Sequence, residues 1–432
     1  MKLAYCWFFV VVMVALAAAS NVSAQEVVFD HTTGTRGTRM WIPPGVDTVK
    51  GILIYGNGAG GDSRNEIYTP WNQVFAYLHD FALVGTSLWT NLSGSEISTW
   101  DAHLSALGAA SGHPELVNAP WAPIGFSNGG QMSYGFNALR PDKTFAFITQ
   151  KGRCYNVRQP SAAALKTPGI LIAGELDTAV RNDSIQRLFD DNRPRGALWS
   201  WVEQQGEAHS GRADSLILPF MAEAIRLRYP AGQMPTATRG VPLKSLNETE
   251  GWLADQSTWQ SGLTEIASYG DYVSDKEEAG WLLNENIAFL YRAFSTYDRK
   301  ASLAFDGDFP FLPPDFHLEA WVGLAEAPLA LKLDLSGIPD WTKVEVFNYA
   351  QSIMVIDSNG APQSLLMLEV PIPTDGIYGL SALVTHGDGT ISTTNPLAYG
   401  AIYSPVPEPS AAFLLTIGLF LLALRCQSRA SS

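Results

Sequence analysis

Between residues 27 and 229, short apolar runs alternate with stretches of helical periodicity. The run Gly51–Tyr55 is continuously apolar, as expected of a parallel strand buried on both faces. After Thr69-Pro70, which suits the start of a helix, apolar residues recur with spacings of three and four: Trp71, Val74, Phe75 and Leu78. The same reasoning predicts strands at 81–88, 121–125, 144–149, 169–173 and 198–202, and helices at 100–110, 129–140, 183–190 and 213–229. This alternation predicts an α/β fold, in which a mostly parallel sheet carries helices on both faces.

The pattern changes after residue 229. Residues 230–247 lose periodicity and are predicted to be a linker, and a helix capped by Asn284 follows. We therefore expect 230–300 to be a linker and helical extension packed on the first domain, which spans 25–229. From 301 to 403, apolar runs alternate with turn signals such as Ser358-Asn359-Gly360, which predicts a small all-β, sandwich-like module.

The first 24 residues have the organisation of a secretory signal peptide. Lys2 precedes an uncharged run to Ala19, and the small residues Val22 and Ala24 suit cleavage after Ala24. The alternative is an uncleaved membrane anchor. With either outcome, the fold lies outside the cytoplasm.

The last 29 residues contain Pro407-Glu408-Pro409, an apolar run at 411–424 and then Arg425 and Arg429. As a helix the run spans about 21 Å, which is short for a bilayer core of about 30 Å. The order of motif, apolar run and basic end resembles the PEP-CTERM sorting signal of Gram-negative bacteria. The resemblance implies a transmembrane helix at 411–424 within a signal at 404–432. It also implies anchoring in the inner membrane, processing by an exosortase-type enzyme and release to the cell surface or extracellular matrix.

The composition excludes two classes of protein. Hydrophobic residues make up 46% of the 432 residues, which is too high for a disordered chain. The formal net charge of −14 would repel a phosphate backbone, and no basic run offsets it, so we expect no nucleic-acid partner.

The segment Gly125–Gly130 reads Gly-Phe-Ser-Asn-Gly-Gly and lies between a predicted strand and a predicted helix. It fits the G-x-S-x-G pattern, in which a sharp turn lifts the serine hydroxyl above the sheet and the glycines remove β-carbons that would collide. Ser127 is therefore the candidate nucleophile.

A serine hydroxyl needs a base to remove its proton, and the base needs an acid to orient it. Asp177 follows the predicted strand 169–173, and His209 follows the strand 198–202. Because sites in open α/β sheets lie at the carboxyl ends of the strands, we expect Ser127, His209 and Asp177 to meet there. Glu175 is the rival for the role of the acid.

An oxyanion formed at Ser127 would need two amide donors. One is expected from Asn128, directly after the nucleophile. The other is expected from the glycine-rich loop Gly56–Asp62, where Asn57 and Gly58 are the candidates. A phosphate-binding loop is the competing interpretation, but no Gly-Lys-Ser/Thr follows.

Two further expectations concern the surroundings of the site. Trp89 follows a strand at the same edge and is a candidate for lining the substrate pocket. The histidines and cysteines lack metal-ligand spacing, so we expect no metal.

These motifs, in this order, resemble α/β-hydrolases of the dienelactone-hydrolase and polyhydroxybutyrate-depolymerase-like esterase group over residues 27–229. The resemblance carries the group's triad onto Ser127, Asp177 and His209, and it implies a serine esterase that needs no cofactor. Asn57 stands where lipases have the histidine of His-Gly-Gly-Gly.

The expected function is hydrolysis of a carboxylic ester through an acyl-enzyme, with an acylated polysaccharide or a polyester as the candidate substrate. Two alternatives remain open. One is a catalytically inactive hydrolase-fold protein that binds a surface or matrix, and the other is a serine peptidase on the same fold.

Overall fold

A computed structural model describes residues 28–87, 92–153, 155, 158–306 and 328–402. Its centre is an eight-stranded sheet in the order β1-β2-β4-β3-β5-β6-β7-β8. The strands are β1 (Val28–Thr33), β2 (Arg36–Trp41), β3 (Gly51–Gly56), β4 (Phe81–Thr86), β5 (Trp121–Phe126), β6 (Phe147–Gln150), β7 (Gly169–Gly174) and β8 (Trp199–Gln204). Neighbours from β4 to β8 pair in parallel, whereas β1 and β2 pair antiparallel at one edge. The expected mostly parallel sheet is therefore present.

Helices connect the parallel strands. They are α1 (Pro70–His79), α2 (Gly94–Ser111), α3 (Asn128–Leu139), α4 (Ala162–Leu165), α5 (Ala179–Asp190) and α6 (Asp214–Arg228). Strand β3 shows that both faces of the sheet are covered, because its alternate side chains belong to two different hydrophobic clusters. Leu53 and Tyr55 pack in one cluster, and Ile52 and Ile54 pack in the other. This is the two-sided burial that the continuous apolar run predicts.

The segment after α6 differs in part from the expected helical extension. It contains a three-stranded antiparallel sheet made of β9 (Trp252–Ala254), β10 (Ile266–Ser268) and β11 (Gly280–Leu282). The predicted helix follows as α7 (Glu285–Ser295), and the Asn284 side chain caps it by accepting from the Ile287 amide at 3.1 Å. Strands of three residues are too short to show an alternating pattern in the sequence, which is why the helix alone was predictable.

An all-β module follows and consists of two sheets. One sheet contains β12 (Ser302–Phe305), β13 (Leu329–Asp334) and β16 (Leu365–Val370). The other contains β14 (Lys343–Asn348), β15 (Gln351–Asp357), β17 (Gly376–Thr385), β18 (Ile391–Thr393) and β19 (Leu397–Ala401). Both sheets contribute to one hydrophobic cluster, with Leu331 and Leu333 from the first and Val344 and Val346 from the second. The module is therefore a small sandwich.

The module packs on the helices that cover one face of the large sheet. Tyr349 and Ile377 of the module contact the main hydrophobic cluster. A β-carbon added to Gly379 would lie 2.4 Å from the side chain of Leu290 in α7. The two parts thus share a closely packed interface.

The expected signal peptide at 1–24 and the expected sorting signal at 404–432 lie outside the described residues. Among the residues that are described, no helix combines the length and apolar character needed to cross a membrane.

Candidate active site

Ser127 lies on a sharp turn between β5 and α3. Its backbone has φ +55° and ψ −116°, a conformation that side-chain-bearing residues rarely adopt and that costs on the order of 1–3 kcal/mol. Added β-carbons show why glycines flank this turn. One at Gly125 would lie 1.7 Å from the Gly129 carbonyl oxygen, and one at Gly129 would lie 2.0 Å from the Gly56 carbonyl oxygen. The close approach of β3, β5 and α3 therefore depends on these glycines.

His209 reaches Ser127 from the loop after β8. Its Nε2 lies 3.0 Å from the Ser127 Oγ, and its Nδ1 lies 2.7 Å from the Asp177 Oδ2. These partners suit a neutral imidazole that donates its Nδ1–H to Asp177 and accepts the Ser127 hydroxyl proton at Nε2. The three side chains predicted to meet at the carboxyl edge of the sheet thus form one hydrogen-bonded chain.

Asp177 is held in place by further donors. Its side chain is 1% exposed, and its Oδ1 accepts from the Thr178 amide at 2.7 Å and from Arg181 Nη1 at 2.8 Å. Burial alone would raise the pKa of Asp177. Hydrogen bonds from His209, the Thr178 amide and Arg181 outweigh burial and hold the pKa below its ordinary value. The carboxylate therefore stays ionised beside the imidazole.

Glu175, the rival acid, points elsewhere. Its Oε2 accepts from the Gly206 amide at 2.7 Å, so it fastens the turn that follows β8. Of the two acids after β7, the structure brings Asp177 to His209.

The amide donors around Ser127 can be compared through their partners. Asn128 is the first residue of α3, and the first amides of a helix have no partner within the helix. In the glycine-rich loop, the Gly58 amide already donates to the Asn57 Oδ1 at 2.8 Å. The Asn57 amide nitrogen lies beside Gly129, since a β-carbon there would be 2.8 Å from it. Gly58 also lies beside the nucleophile, since a β-carbon on it would be 3.4 Å from the Ser127 Cβ, so both expected candidates of this loop border the Ser127 turn.

A cavity of about 340 Å³ opens beside His209 and Phe126. Part of its wall is charged. Arg212 donates to Glu66 at 2.8 Å and to Asp214 at 2.8 Å, and its guanidinium lies 5.7 Å from the centre of the Tyr55 ring. Burial alone would lower the pKa of Arg212, but Asp214, Tyr55 and Glu66 outweigh it and raise that pKa above its ordinary value. One side of the cavity therefore carries the permanently charged Arg212 guanidinium, which is already paired with two carboxylates.

Lys151 supports the loop that carries His209. It follows β6 with φ +52°, is fully buried, and donates to the Gln204 Oε1 at 2.8 Å and to the Ser210 carbonyl oxygen. Burial lowers the pKa of Lys151. The ammonium thus ties the residue after His209 to the end of β8.

Sequence reasoning missed several residues that shape this site. Phe126 packs against the His209 ring, with ring centroids 4.9 Å apart, and Lys151 and Arg212 act as described above. Phe126 lies within the G-x-S-x-G motif, so the motif itself was a signal that could have identified it. Lys151 and Arg212 had no such signal, because their partners are distant in the chain.

Trp89, the expected pocket residue, lies outside the described residues. No group of three or more histidine, cysteine, aspartate or glutamate side chains that could hold a metal occurs in the described part of the chain.

The chain matches no protein-family model, and no curated protein matches it. Among solved structures it is similar to esterase PE8, with 21% identity over 40% of this chain and 91% of that one and a TM-score of 0.32. It is also similar to Est1E from Butyrivibrio proteoclasticus, with 12% identity over 46% of this chain and 100% of that one and a TM-score of 0.34. A third similar structure is the fluorophosphonate-binding serine hydrolase F of Staphylococcus aureus, with 11% identity, coverage of 46% and 97%, and a TM-score of 0.34.

Proposed function

We propose that the protein is a serine hydrolase that cleaves carboxylic esters through an acyl-enzyme intermediate. The observation that carries the proposal is the continuous hydrogen-bonded chain from Ser127 Oγ through His209 to the buried Asp177 carboxylate. A serine on a strained turn, an imidazole within reach of its proton and a carboxylate that orients the imidazole together form a nucleophile with its own base.

The first half of the reaction acylates the serine. Ser127 Oγ attacks the ester carbonyl carbon while His209 Nε2 accepts the hydroxyl proton, and the carbonyl electron pair moves onto oxygen. When the tetrahedral intermediate collapses, the bond to the alcohol oxygen breaks, and His209 gives its proton to the departing alcohol. Asp177 stabilises the imidazolium that exists between these steps.

The second half releases the acid. Water attacks the acyl carbon while His209 Nε2 takes a proton from that water molecule. The second tetrahedral intermediate then expels Ser127 Oγ, and His209 returns the proton to this oxygen. In both halves, the negatively charged oxygen is proposed to accept hydrogen bonds from the backbone amides of Asn128 and Asn57. Oriented donors at an oxyanion are worth about 10²–10³-fold each in rate.

The cavity supports a limit on the substrate. Its volume of about 340 Å³ is at the small end of the range of about 300–1,000 Å³ for ligand pockets. We therefore propose a short acyl group, carried by a larger alcohol such as a polysaccharide, or a short-chain polyester.

The nucleophile is tested with a fluorophosphonate probe on the purified full-length chain. We expect one covalent adduct on the peptide that contains Ser127, and none on the Ser127→Ala variant. An ester panel of increasing acyl length should then show fastest turnover for short acyl groups. The absence of an adduct on this peptide and of turnover for every ester would favour the inactive, matrix-binding alternative, whereas cleavage of amides in preference to esters would favour a peptidase.

We also propose that the protein is exported, held in the inner membrane through residues 411–424, and released by an exosortase-type enzyme. The sequences at 1–24 and 404–432 support this proposal. Mass spectrometry of the extracellular protein should find a chain that begins at Gln25 and ends near Pro407–Pro409. Recovery of the intact chain from the cytoplasm would contradict it.

A further inference from the structure

The cavity beside His209 is bordered by two segments that lie far apart in the chain. One is a short 3-10 helix at Arg64–Tyr68, which contributes Glu66, and the other is the loop after β8, which contributes Arg212. Both residues line the cavity, and the Arg212 Nη1 donates to the Glu66 Oε2 at 2.8 Å. This ion pair therefore fixes the distance between two parts of the cavity wall.

Each member of the pair is held in place by further contacts. Arg212 also donates to Asp214 at 2.8 Å, and its carbonyl oxygen accepts from the Gln204 side chain at 3.0 Å. The Glu66 Oε2 also accepts from the Thr69 hydroxyl at 3.2 Å. The pair is thus preorganised, and it would have to give up hydrogen bonds to move aside for a substrate.

The wall of the cavity combines apolar and charged groups. Ile124 and Phe126 are apolar, and the Phe126 ring packs against the ring of His209, with centroids 4.9 Å apart. The side chains of Glu66 and Arg212 are 25% and 41% exposed, so both charges keep part of their hydration. A hydrocarbon chain that covered them would remove this water and supply no hydrogen bond in return. A short acyl chain avoids this cost, whereas a longer one meets the ion pair.

An aromatic ring lies behind the pair. The Arg212 guanidinium lies over the ring of Tyr55, 5.7 Å from its centre, and Tyr55 is 5% exposed. Loss of the pair would uncover ring surface that suits a hydrocarbon chain. We propose, on the basis of the ester hydrolysis proposed above, that the Glu66–Arg212 pair limits the acyl pocket and that both side chains determine its specificity for short acyl groups.

The test is the ratio of kcat/KM for p-nitrophenyl octanoate to that for p-nitrophenyl acetate, measured on the full-length chain. The parent should prefer the acetate. Glu66→Ala removes one member of the pair and leaves Arg212 bonded to Asp214. We expect this variant to raise the ratio at least about tenfold, since one methylene in an apolar pocket is worth about 10–200-fold. Arg212→Ala should also raise the ratio, because it uncovers Tyr55.

Equal turnover of the two esters by the parent, or an unchanged ratio in Glu66→Ala, would overturn the proposal. Glu66→Gln keeps the size of the side chain and an oxygen that can accept from Arg212, so its ratio should rise far less than in Glu66→Ala. An equal rise in Glu66→Gln would show an effect of charge alone and would also overturn the proposal.

The matched control is Glu96→Ala, which breaks another partly buried pair. Glu96 in α2 accepts from Arg36 at 2.8 Å and its side chain is 20% exposed, but it is not among the described residues that line the cavity. Its ratio should equal that of the parent. A rise as large as in Glu66→Ala would show general loosening of the fold and would reject the pair as the limit of the pocket.

Fluorophosphonate labelling distinguishes failure of this inference from failure of the proposed function. If the parent forms the Ser127 adduct and hydrolyses the acetate while the ratio in Glu66→Ala is unchanged, the pair does not limit the pocket and the ester hydrolase stands. If the parent forms no adduct and hydrolyses neither ester, the proposed function is wrong and the acyl pocket fails with it.

Discussion

At the scale of single residues, the candidate site depends on backbone placement as much as on side chains. Ser127 holds a strained conformation that only the surrounding contacts maintain, and the absence of β-carbons at Gly125 and Gly129 lets β5 and α3 approach closely. The sequence G-x-S-x-G therefore encodes a geometry. The two acids after β7 also differ in their contacts, because the Asp177 carboxylate reaches the imidazole and the Glu175 carboxylate reaches the Gly206 amide.

The division of labour between these acids can be tested directly. We expect Asp177→Asn to lower kcat for a short ester by on the order of 10³–10⁴-fold, because an amide no longer orients and stabilises the imidazole. Glu175→Gln is the matched control, two residues away, and should retain most of kcat because Glu175 contacts the Gly206 amide rather than His209. Steady-state kinetics with both variants decides the matter. A larger loss in Glu175→Gln than in Asp177→Asn would contradict the assignment.

A second prediction at this scale concerns a buried histidine. His103 in α2 is fully buried, its Nδ1 lies 3.1 Å from the Thr38 Oγ1, and burial lowers its pKa to about 4. An unfolded histidine has a pKa of about 6.5, so the unfolded state binds the proton more readily between these values. Stability is thus fully present above about pH 6.5 and is lost as pH falls towards 4, by up to about 3 kcal/mol from this residue.

Thermal unfolding at pH 7, 6, 5 and 4.5 measures this effect. The unfolding midpoint should decline steadily over that range, and His103→Gln should show a shallower decline than the parent chain, whatever its midpoint at pH 7. Identical slopes for the two chains would show that His103 is not the group responsible.

At the scale of elements, the ends of parallel strands assemble the site. Strand β5 leads to Ser127, β7 to Asp177 and β8 to His209, so three segments far apart in sequence meet at one edge. Strand β6 also ends there, and its contribution is Lys151, which fixes the loop of His209 rather than the histidine itself.

Lys151 is expected to act as a positioning residue. Lys151→Met keeps the length of the side chain but removes the donors to Gln204 and Ser210. We therefore expect the His209 imidazole to be displaced from the Ser127 hydroxyl. We expect kcat/KM to fall by about 10²-fold, which is the cost of a displacement near 1 Å. The rate of fluorophosphonate labelling should fall in parallel.

Lys143 supplies the control for general damage. It is a partly buried lysine that, like Lys151, donates to a backbone carbonyl, that of Val117 at 2.6 Å, but it precedes β6 at the opposite edge of the sheet. Lys143→Met should lower the unfolding midpoint while leaving kcat/KM close to the parent value. Equal losses of activity in the two variants would show that Lys151 contributes only to stability.

The sequence predicted what is local at this scale and missed what is not. The apolar run after residue 50 and the Asn284 cap placed β3 and α7, and the spacing of strand ends brought Ser127, Asp177 and His209 together. By contrast, β9 to β11 escaped notice because each has only three residues. Lys151 escaped because its partners lie more than 50 residues away. The hydrophobic periodicity of a strand or helix and the cap of a helix are encoded within a few residues, whereas contacts between distant loops form only when the chain folds.

At the scale of the whole molecule, the β-sandwich and the large sheet share a packed boundary. Tyr349 and Ile377 of the module contact the main hydrophobic cluster, and Trp71 of α1 lies edge-on to Tyr399 of β19, with ring centroids 6.3 Å apart. A module fastened in this way stabilises the helices beneath it. Its removal would expose apolar surface on both sides, because each partner buries the other.

Gly379 tests whether this boundary contributes to stability. A β-carbon there would lie 2.4 Å from the Cδ1 of Leu290, which is fully buried and has little room to move. Gly379→Val should therefore lower the free energy of unfolding by about 1–3 kcal/mol through overpacking, measured by urea unfolding followed by tryptophan fluorescence. Gly262→Val is the control, because nothing lies within 4 Å of the added β-carbon.

The response of the two parts shows whether they unfold as one unit. If the boundary only joins independently folding units, the module will separate in Gly379→Val with no loss of stability in the large sheet. If it is part of one cooperative unit, as the packing of Tyr349 and Ile377 against the main hydrophobic cluster indicates, both parts will lose stability together while the Ser127 site keeps its activity below the transition.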